Sequence, residues 1–353
     1  MITVNSCIST SLGGIETLIR EVQSLFKGSG ARVTEFFKFR AGKHVYSESP
    51  AVTYICYGEE SQAGYVAKIK TAFNLWRQLK KLAPVGEDLL VFHPTDLLYI
   101  PASVLKTNNV IMVQTNRLDI IFTPLGKLAM SLRGKYINHF TVYTSFDEAE
   151  LGALYPQFKS RIKIIPRASK IEKASSIPVP SKKLLTLARV FEDQKNFKAM
   201  VEVMRLLPAD YSLDIYGDGS ENEVSDLKAL IQHDNRITYK GSSNKVEEIY
   251  KEYSLFLMTS RYEGFGQTLI EARSQGLPII LFDTFPAAKW IVRDGENGYL
   301  IPPYDIAAMS EKIITVLGNP QVFSSFGQRA LVLAEETSKG AINESWKGLS
   351  IEL

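Results

Sequence analysis

Cysteine is nearly absent from this chain: of 353 residues only Cys7 and Cys56 are cysteine. Their number and spacing suit neither a disulfide framework nor a thiolate metal site, so a reducing cytoplasm is the expected compartment and no metal or other cofactor is expected. Long apolar runs are missing as well. No stretch of about 18 apolar residues occurs, and Met1–Ile8 carries no basic segment leading into an apolar one. The chain therefore reads as neither secreted nor membrane-spanning. It lacks internal repeats and low-complexity segments. No charge of one sign dominates, since the net charge is +3, and no nucleic-acid partner is expected. That small total hides an asymmetry. Residues 1–170 carry 21 Lys and Arg against 13 Asp and Glu, or +8, while residues 171–353 carry 20 against 25, or −5. A basic first half suits an anionic partner such as phosphate groups or an acidic membrane surface.

What is present is enough apolar residue, 45%, for more than one core in a chain of this length. Strand-like apolar runs alternate with helical patterns, the mark of parallel sheets built from strand–helix–strand units. After a short first strand the first half offers 32–39, 52–57, 88–93, 110–115, 140–145 and 162–166. The second half offers 184–188, 212–216, 237–239, 255–258, 279–282 and 299–301. Between them Ala174-Ser-Ser-Ile-Pro-Val-Pro-Ser-Lys182 has the composition of a linker. The expected architecture is α/β, two doubly wound Rossmann-like domains with an interdomain cleft. Residues 1–173 would form the first domain and 183–335 the second, with 336–353 as a C-terminal helix packing back on the first. Ligands of such folds bind beyond the carboxyl ends of the strands, so residues there are candidates first.

The most informative segment is Ser260-Arg-Tyr-Glu263-Gly-Phe-Gly-Gln-Thr-Leu-Ile-Glu271-Ala-Arg-Ser-Gln-Gly276-Leu-Pro278. It reads as a loop at the end of strand 255–258 followed by a helix from Gln267, with Gly276 and Pro278 past its end. Free N–H groups at Phe265, Gly266 and Gln267 at the positive end of that helix favour a phosphate-bearing ligand. As bare spacing, two glutamates eight apart would be solvated helix residues. The surrounding letters change that, because Glu263-Gly264-Phe265-Gly266 with Glu271, Ala272, Gly276 and Pro278 resembles the paired-glutamate signature of family 4 retaining glycosyltransferases, whose fold is GT-B.

The resemblance implies that Glu263 faces the donor sugar and Glu271 the ribose hydroxyls, with Gly264, Phe265, Gly266 and Gln267 lining the donor site. Arg189 and Lys195 resemble the Arg and Lys that grip the donor diphosphate, here six positions apart where five is more familiar. Gly217, in Tyr-Gly217-Asp-Gly-Ser, lies where family members line the nucleotide pocket, and Arg236–Gly241 where they contact the base. Gly13 and Gly14 look like the N-terminal glycine loop that closes on the donor phosphate. On the acceptor side His93 and Gln114 are candidates for sugar contact, although His93 is equally readable as structural. Gln114 stands where the family often has histidine, and it can hydrogen-bond a sugar but not transfer a proton. His44, His139 and His233 carry no site reading. After strand 279–282, Phe285-Pro-Ala-Ala-Lys289 departs from the family's glycines.

In Tyr65–Leu82, Val66, Ile69, Phe73, Trp76, Leu79 and Leu82 fall near helical spacing among Lys68, Lys70, Arg77, Lys80 and Lys81. Lys127, Arg133 and Lys135 flank a second apolar segment. Either stripe is a core face or a surface for an anionic bilayer. The expected activity is a retaining, metal-independent hexosyltransfer from a nucleotide diphosphate sugar, a UDP-sugar favoured, to a saccharide or lipid-linked acceptor. Its setting would be lipopolysaccharide, O-antigen or capsule biosynthesis, in the cytoplasm with peripheral attachment to the inner face of the membrane. The alternatives are another GT-B enzyme, such as an epimerase or phosphorylase, and a noncatalytic sugar-binding subunit.

Overall fold

A computed structural model describes residues 1–11, 13–40, 46–58 and 65–351. Leu12 of the glycine loop and His44 lie outside the described residues, as do the side chains of Val66 and Lys68. The chain forms two compact units, Met1–Pro166 with Asn343–Leu353, and Arg167–Ile342.

The first unit holds seven strands: β1 (Ile2–Cys7), β2 (Val33–Phe39), β3 (Val52–Cys56), β4 (Asp88–Val91), β5 (Asn109–Val113), β6 (His139–Val142) and β7 (Ile162–Ile164). They pair in parallel in the order β3-β2-β1-β4-β5-β6-β7. The second unit repeats the plan with β8 (Lys183–Leu187), β9 (Ser212–Tyr216), β10 (Ile237–Gly241), β11 (Leu255–Met258), β12 (Ile279–Phe282) and β13 (Gly298–Ile301), ordered β10-β9-β8-β11-β12-β13. Helices cover both faces of a parallel sheet, so its central strands bury every side chain and read as unbroken apolar runs. Leu255–Met258 and Ile279–Phe282 are buried throughout. In each sheet the order reverses beside the first strand, between β1 and β4 and again between β8 and β11. Such a reversal parts the loops above it and leaves a crevice at the strand ends.

The segment 174–182 is not a free linker. The unit boundary falls earlier, after Pro166, and the segment packs on the second unit. The Ala174 amide donates to the Ser274 carbonyl at 2.9 Å, the Ser181 amide donates to Ser254 Oγ at 2.8 Å, and Ile177 lies against Gly276 and Gly327. Its prolines hold the chain extended, and the half-buried Ile177 just before Pro178 packs on the core of the second unit.

The Tyr65–Leu82 helix divides the apolar stripe. Leu75 and Leu79 are fully buried, whereas Ile69, Phe73, Trp76 and Leu82 are exposed. Phe73 stacks on Trp76 with ring centroids 6.0 Å apart, and Lys80 lies 4.7 Å over the Trp76 ring. The Pro124–Arg133 helix likewise buries Ala129 and Met130 and exposes Leu125, Leu128 and Leu132. Among the described residues no helix is long and apolar enough to cross a membrane.

The chain's last described residues are held to the first unit by Asp88, which is fully buried at the start of β4. Its carboxylate accepts from Asn109 Nδ2 at 2.6 Å, from the Ser350 hydroxyl and from the Ile351 amide. Asn109 Nδ2 also donates to the Leu349 carbonyl at 2.9 Å. Asp88→Ala would strand these donors, and a buried polar group left unpaired costs about 1–3 kcal/mol. The variant is therefore expected to unfold at lower urea concentration by about that much; an unchanged midpoint would contradict the anchoring role.

Candidate functional site in the second unit

Lys195 and Glu263, 68 residues apart in the chain, meet above the carboxyl ends of β8 and β11, at the strand-order reversal. Lys195 Nζ stands 2.5 Å from Glu263 Oε1, with side chains only 12% and 10% exposed. The same carboxylate accepts from Ser260 Oγ at 2.7 Å and from Gln194 Nε2 at 3.3 Å. A charge this poorly hydrated persists only when paired and hydrogen-bonded, and removing one partner of a buried pair typically costs about 3–5 kcal/mol.

Local structure delivers both residues. Glu192–Lys195 is a single helical turn that ends on Asn196 in the left-handed conformation, φ 55°. Thr259, the residue after β11, points its hydroxyl between the Lys195 and Asn196 carbonyls, 3.0 Å from each. Arg261 completes the join: its amide donates to the Gln194 carbonyl at 2.7 Å and its guanidinium to Asn196 Oδ1 at 2.8 Å. This turn carries Lys195 inward to Glu263. Arg189 does not join the cluster. It is exposed, with its guanidinium 5.3 Å from the Phe191 ring centroid, and among the described residues no hydrogen bond or ion pair ties it to Lys195 or Glu263.

Beyond Glu263 the chain turns through Gly264 and Phe265 to Gly266, whose φ of 94° suits glycine. The helix Gln267–Ser274 starts there. Phe265 is buried against Trp290, with centroids 6.2 Å apart, which fixes the loop from below. Glu271 lies on this helix and is buried. It accepts from Tyr250 Oη at 3.2 Å and Gln267 Nε2 at 3.4 Å, while Gln267 Nε2 also donates to the Ala168 carbonyl at 2.9 Å. Gly217 sits where the end of β9 crosses β8, so close that a Cβ would stand 1.7 Å from the Ala188 carbonyl. A cavity of about 440 Å³ opens beside this turn, lined by Asp218, Gly219, Lys228 and Tyr239 among others.

Known proteins resemble this chain in sequence and in fold. Residues 168–331 match the family model of glycosyl transferases group 1. The lipopolysaccharide 1,6-galactosyltransferase of Escherichia coli (strain K12) is 24% identical over 316 residues, 84% of this chain and 84% of that one. The UDP-N-acetylglucosamine–peptide N-acetylglucosaminyltransferase GtfA subunit of Streptococcus pneumoniae serotype 4 is 35% identical over 156 residues, 42% of this chain and only 30% of that relative. A solved apo structure of the lipopolysaccharide outer core galactosyltransferase WaaB matches with a TM-score of 0.78 at 17% identity, over 99% of this chain and 98% of that one. The fold is GT-B, and the matching family model and the named relatives are those of glycosyltransferases.

In the first unit of this GT-B chain, Gly13 and Gly14 open the Gly14–Gly28 helix after β1, beside that unit's own strand reversal. The approach to them is set by Glu35, a fully buried carboxylate in the middle of β2. It accepts from Asn5 Nδ2 at 2.9 Å, the Ser9 amide at 2.7 Å, Ser9 Oγ at 2.6 Å and Gln23 Nε2 at 2.8 Å. Sequence reading passed over it, although a glutamate inside the apolar run Val33-Thr-Glu-Phe-Phe37 is itself a signal. His93 caps the Pro94–Leu98 turn, its Nδ1 accepting from the Thr95 amide at 3.3 Å, and burial lowers its pKa. Gln114 is buried with both ends engaged: Nε2 donates to Asp147 Oδ1 and to the Asn116 carbonyl, each at 3.0 Å, and Oε1 accepts from the Tyr143 amide at 3.1 Å. It clamps β5 to β6 in this state.

Burial raises the Glu271 pKa, opposed by Lys170, by the hydrogen bonds from Gln267 and Tyr250, and by Arg167. An acid whose folded pKa lies above its unfolded value binds more protons when folded. Stability therefore falls as pH climbs from the ordinary glutamate value of about 4.3 through the raised one. Glu271→Gln, neutral throughout, is expected to gain in melting temperature over the wild type at pH 8 and to lose that advantage at pH 4. A pH-independent difference would contradict the burial of a charged carboxylate here.

Proposed function

We propose that the protein is a retaining glycosyltransferase that moves a sugar from a nucleoside diphosphate sugar to a saccharide acceptor. The reading rests on one observation: a desolvated Lys195–Glu263 pair stands at the β8/β11 reversal, with Glu271 buried about one turn into the helix that follows. In this reading Lys195 and Arg189 hold the diphosphate, the N–H groups of Phe265, Gly266 and Gln267 add to its binding, Glu263 faces the sugar hydroxyls and Glu271 takes the ribose. The bond from the anomeric carbon to the diphosphate oxygen breaks and the bond to the acceptor oxygen forms on the same face. The acceptor's proton passes to the leaving diphosphate. Lys195 at the leaving group, joined by Arg189 when it turns from the Phe191 ring, stabilises the charge that develops there. A UDP-sugar is favoured, as the name of the Streptococcus pneumoniae relative states for that protein.

The acceptor is proposed to be lipid-linked and the pathway the assembly of a cell-surface polysaccharide, such as lipopolysaccharide, O-antigen or capsule. A relative named lipopolysaccharide galactosyltransferase supports this. So do the apolar rows on the first unit, Ile69, Phe73 and Trp76 and then Leu125, Leu128 and Leu132, all exposed among Lys70, Arg77, Lys80, Lys81, Lys127, Arg133 and Lys135. A basic amphipathic helix of this kind suits the interface of an anionic membrane. The protein would then work on the cytoplasmic side, attached peripherally.

Calorimetric titration with UDP should show weaker binding for Glu271→Ala than for the wild type, by about tenfold, the loss of one hydrogen bond to a charged group. Unchanged affinity in a folded variant removes the ribose assignment. Sugar transfer is expected to continue in EDTA, because Arg189 and Lys195 serve the diphosphate; full loss restored by Mg²⁺ or Mn²⁺ would show otherwise. Co-sedimentation with anionic vesicles should be strong at low salt and weak at high salt, since each basic residue near the surface contributes about 1 kcal/mol and salt shortens its range. Indifference to vesicle charge and salt would dismiss the membrane surface as partner.

A further inference from the structure

Ser260 has no role so far, yet it is placed as deliberately as the residues around it. It is 2% exposed. Its hydroxyl donates to Glu263 Oε1 at 2.7 Å, the oxygen that also meets Lys195. Its carbonyl accepts from Thr284 Oγ1 at 2.6 Å, and Thr284 lies just beyond β12. Ser260 is therefore pinned between the ends of two central parallel strands. On the other carboxylate oxygen, Gln194 Nε2 is held by a second acceptor, the Tyr262 carbonyl at 3.2 Å.

We propose that Ser260, seated by Thr284, is the positioning residue that keeps Glu263 aimed at the donor sugar once Lys195 turns to the diphosphate. The proposal rests on the reading of Glu263 and Lys195 given above. Lys195 cannot serve Glu263 and a diphosphate at full strength together. When it swings to the phosphates, Glu263 Oε1 keeps the Ser260 hydroxyl and Oε2 keeps Gln194. Both remaining donors sit on backbone that the donor does not displace. A carboxylate this buried would otherwise turn toward water, and its contact with the sugar would be lost. The loop after β12 thereby acts on sugar recognition through Thr284 and the Ser260 carbonyl, although its own residues depart from the family pattern.

The test is calorimetry with two probes, UDP and the UDP-sugar that binds the wild type among UDP-galactose, UDP-glucose and UDP-N-acetylglucosamine, on four variants, each confirmed folded at the working temperature by circular dichroism. Ser260→Ala is expected to bind UDP within about twofold of the wild type and the UDP-sugar about 10-fold or more weakly, as expected for a lost hydrogen bond to a charged group. Ser260→Thr, which keeps the hydroxyl, should recover most of that loss. Thr284→Val should shift the same way by a smaller factor. Equal loss of UDP and UDP-sugar, or no loss of either, overturns the role of Ser260. Glu263→Gln separates the two levels. If it loses the UDP-sugar selectively while Ser260→Ala does not, only the positioning role falls. If Glu263→Gln leaves the UDP-sugar untouched, or no UDP-sugar binds the wild type, the reading of Glu263 fails and the proposal fails with it.

Discussion

Glu263 is a carboxylate in a nearly dry place, and the surrounding loops are arranged to satisfy it. A buried unpaired charge is among the most destabilising features a fold can carry. The segment Glu192–Asn196 must therefore fold so that Lys195 turns inward, and Thr259 and Arg261 must stitch that segment to the end of β11. The geometry that serves stability also leaves a cation and an anion side by side at the strand-order reversal, where a parallel sheet opens to ligands. Neighbours that grip the pair without a ligand are the same ones that would hold Glu263 with one.

The two units use buried carboxylates to the same end. In the second, Glu263 and Glu271 lie on either side of a glycine turn and carry the proposed chemistry. In the first, Glu35 gathers four donors from Asn5, Ser9 and Gln23 and so shapes the stretch leading to Gly13. Asp88 does the same for Ser350 and Ile351. In the first unit each of these acidic side chains, inside the parallel sheet, ties together segments that the sheet's own hydrogen bonds cannot reach.

How much of this was legible in the sequence follows from the range of the interactions. Central strands such as Leu255–Met258 and Ile279–Phe282 announce themselves because burial on both faces demands a continuous apolar run. The Glu263 to Pro278 segment was legible because its turn, helix and stop signals are local. Gln194 and Thr284 were not recognisable as partners of the site, since their contacts span 69 and 24 residues, while Ser260, only three residues from Glu263, went unread because the sequence does not tell which way its hydroxyl points. The engagement of Gln114 by Asp147 was hidden for the same reason. The stretch 174–182 has the prolines and serines of a linker, and only Ile177 hints that it packs. Helical periodicity located the apolar positions of Tyr65–Leu82 without telling which of them face the core. Leu79 does, beside Leu75, which the stripe left out, while Ile69, Phe73 and Trp76 are left to solvent.

The central claim is that the Lys195–Glu263 pair is the resting form of a donor site. It is tested most directly by a crystal structure of the protein with UDP bound. The account predicts that Lys195 Nζ leaves Glu263 for a diphosphate oxygen, that the ribose hydroxyls lie within hydrogen-bonding distance of Glu271, and that Glu263 keeps the Ser260 hydroxyl. A nucleotide bound elsewhere, with the Lys195–Glu263 pair still closed, would contradict it.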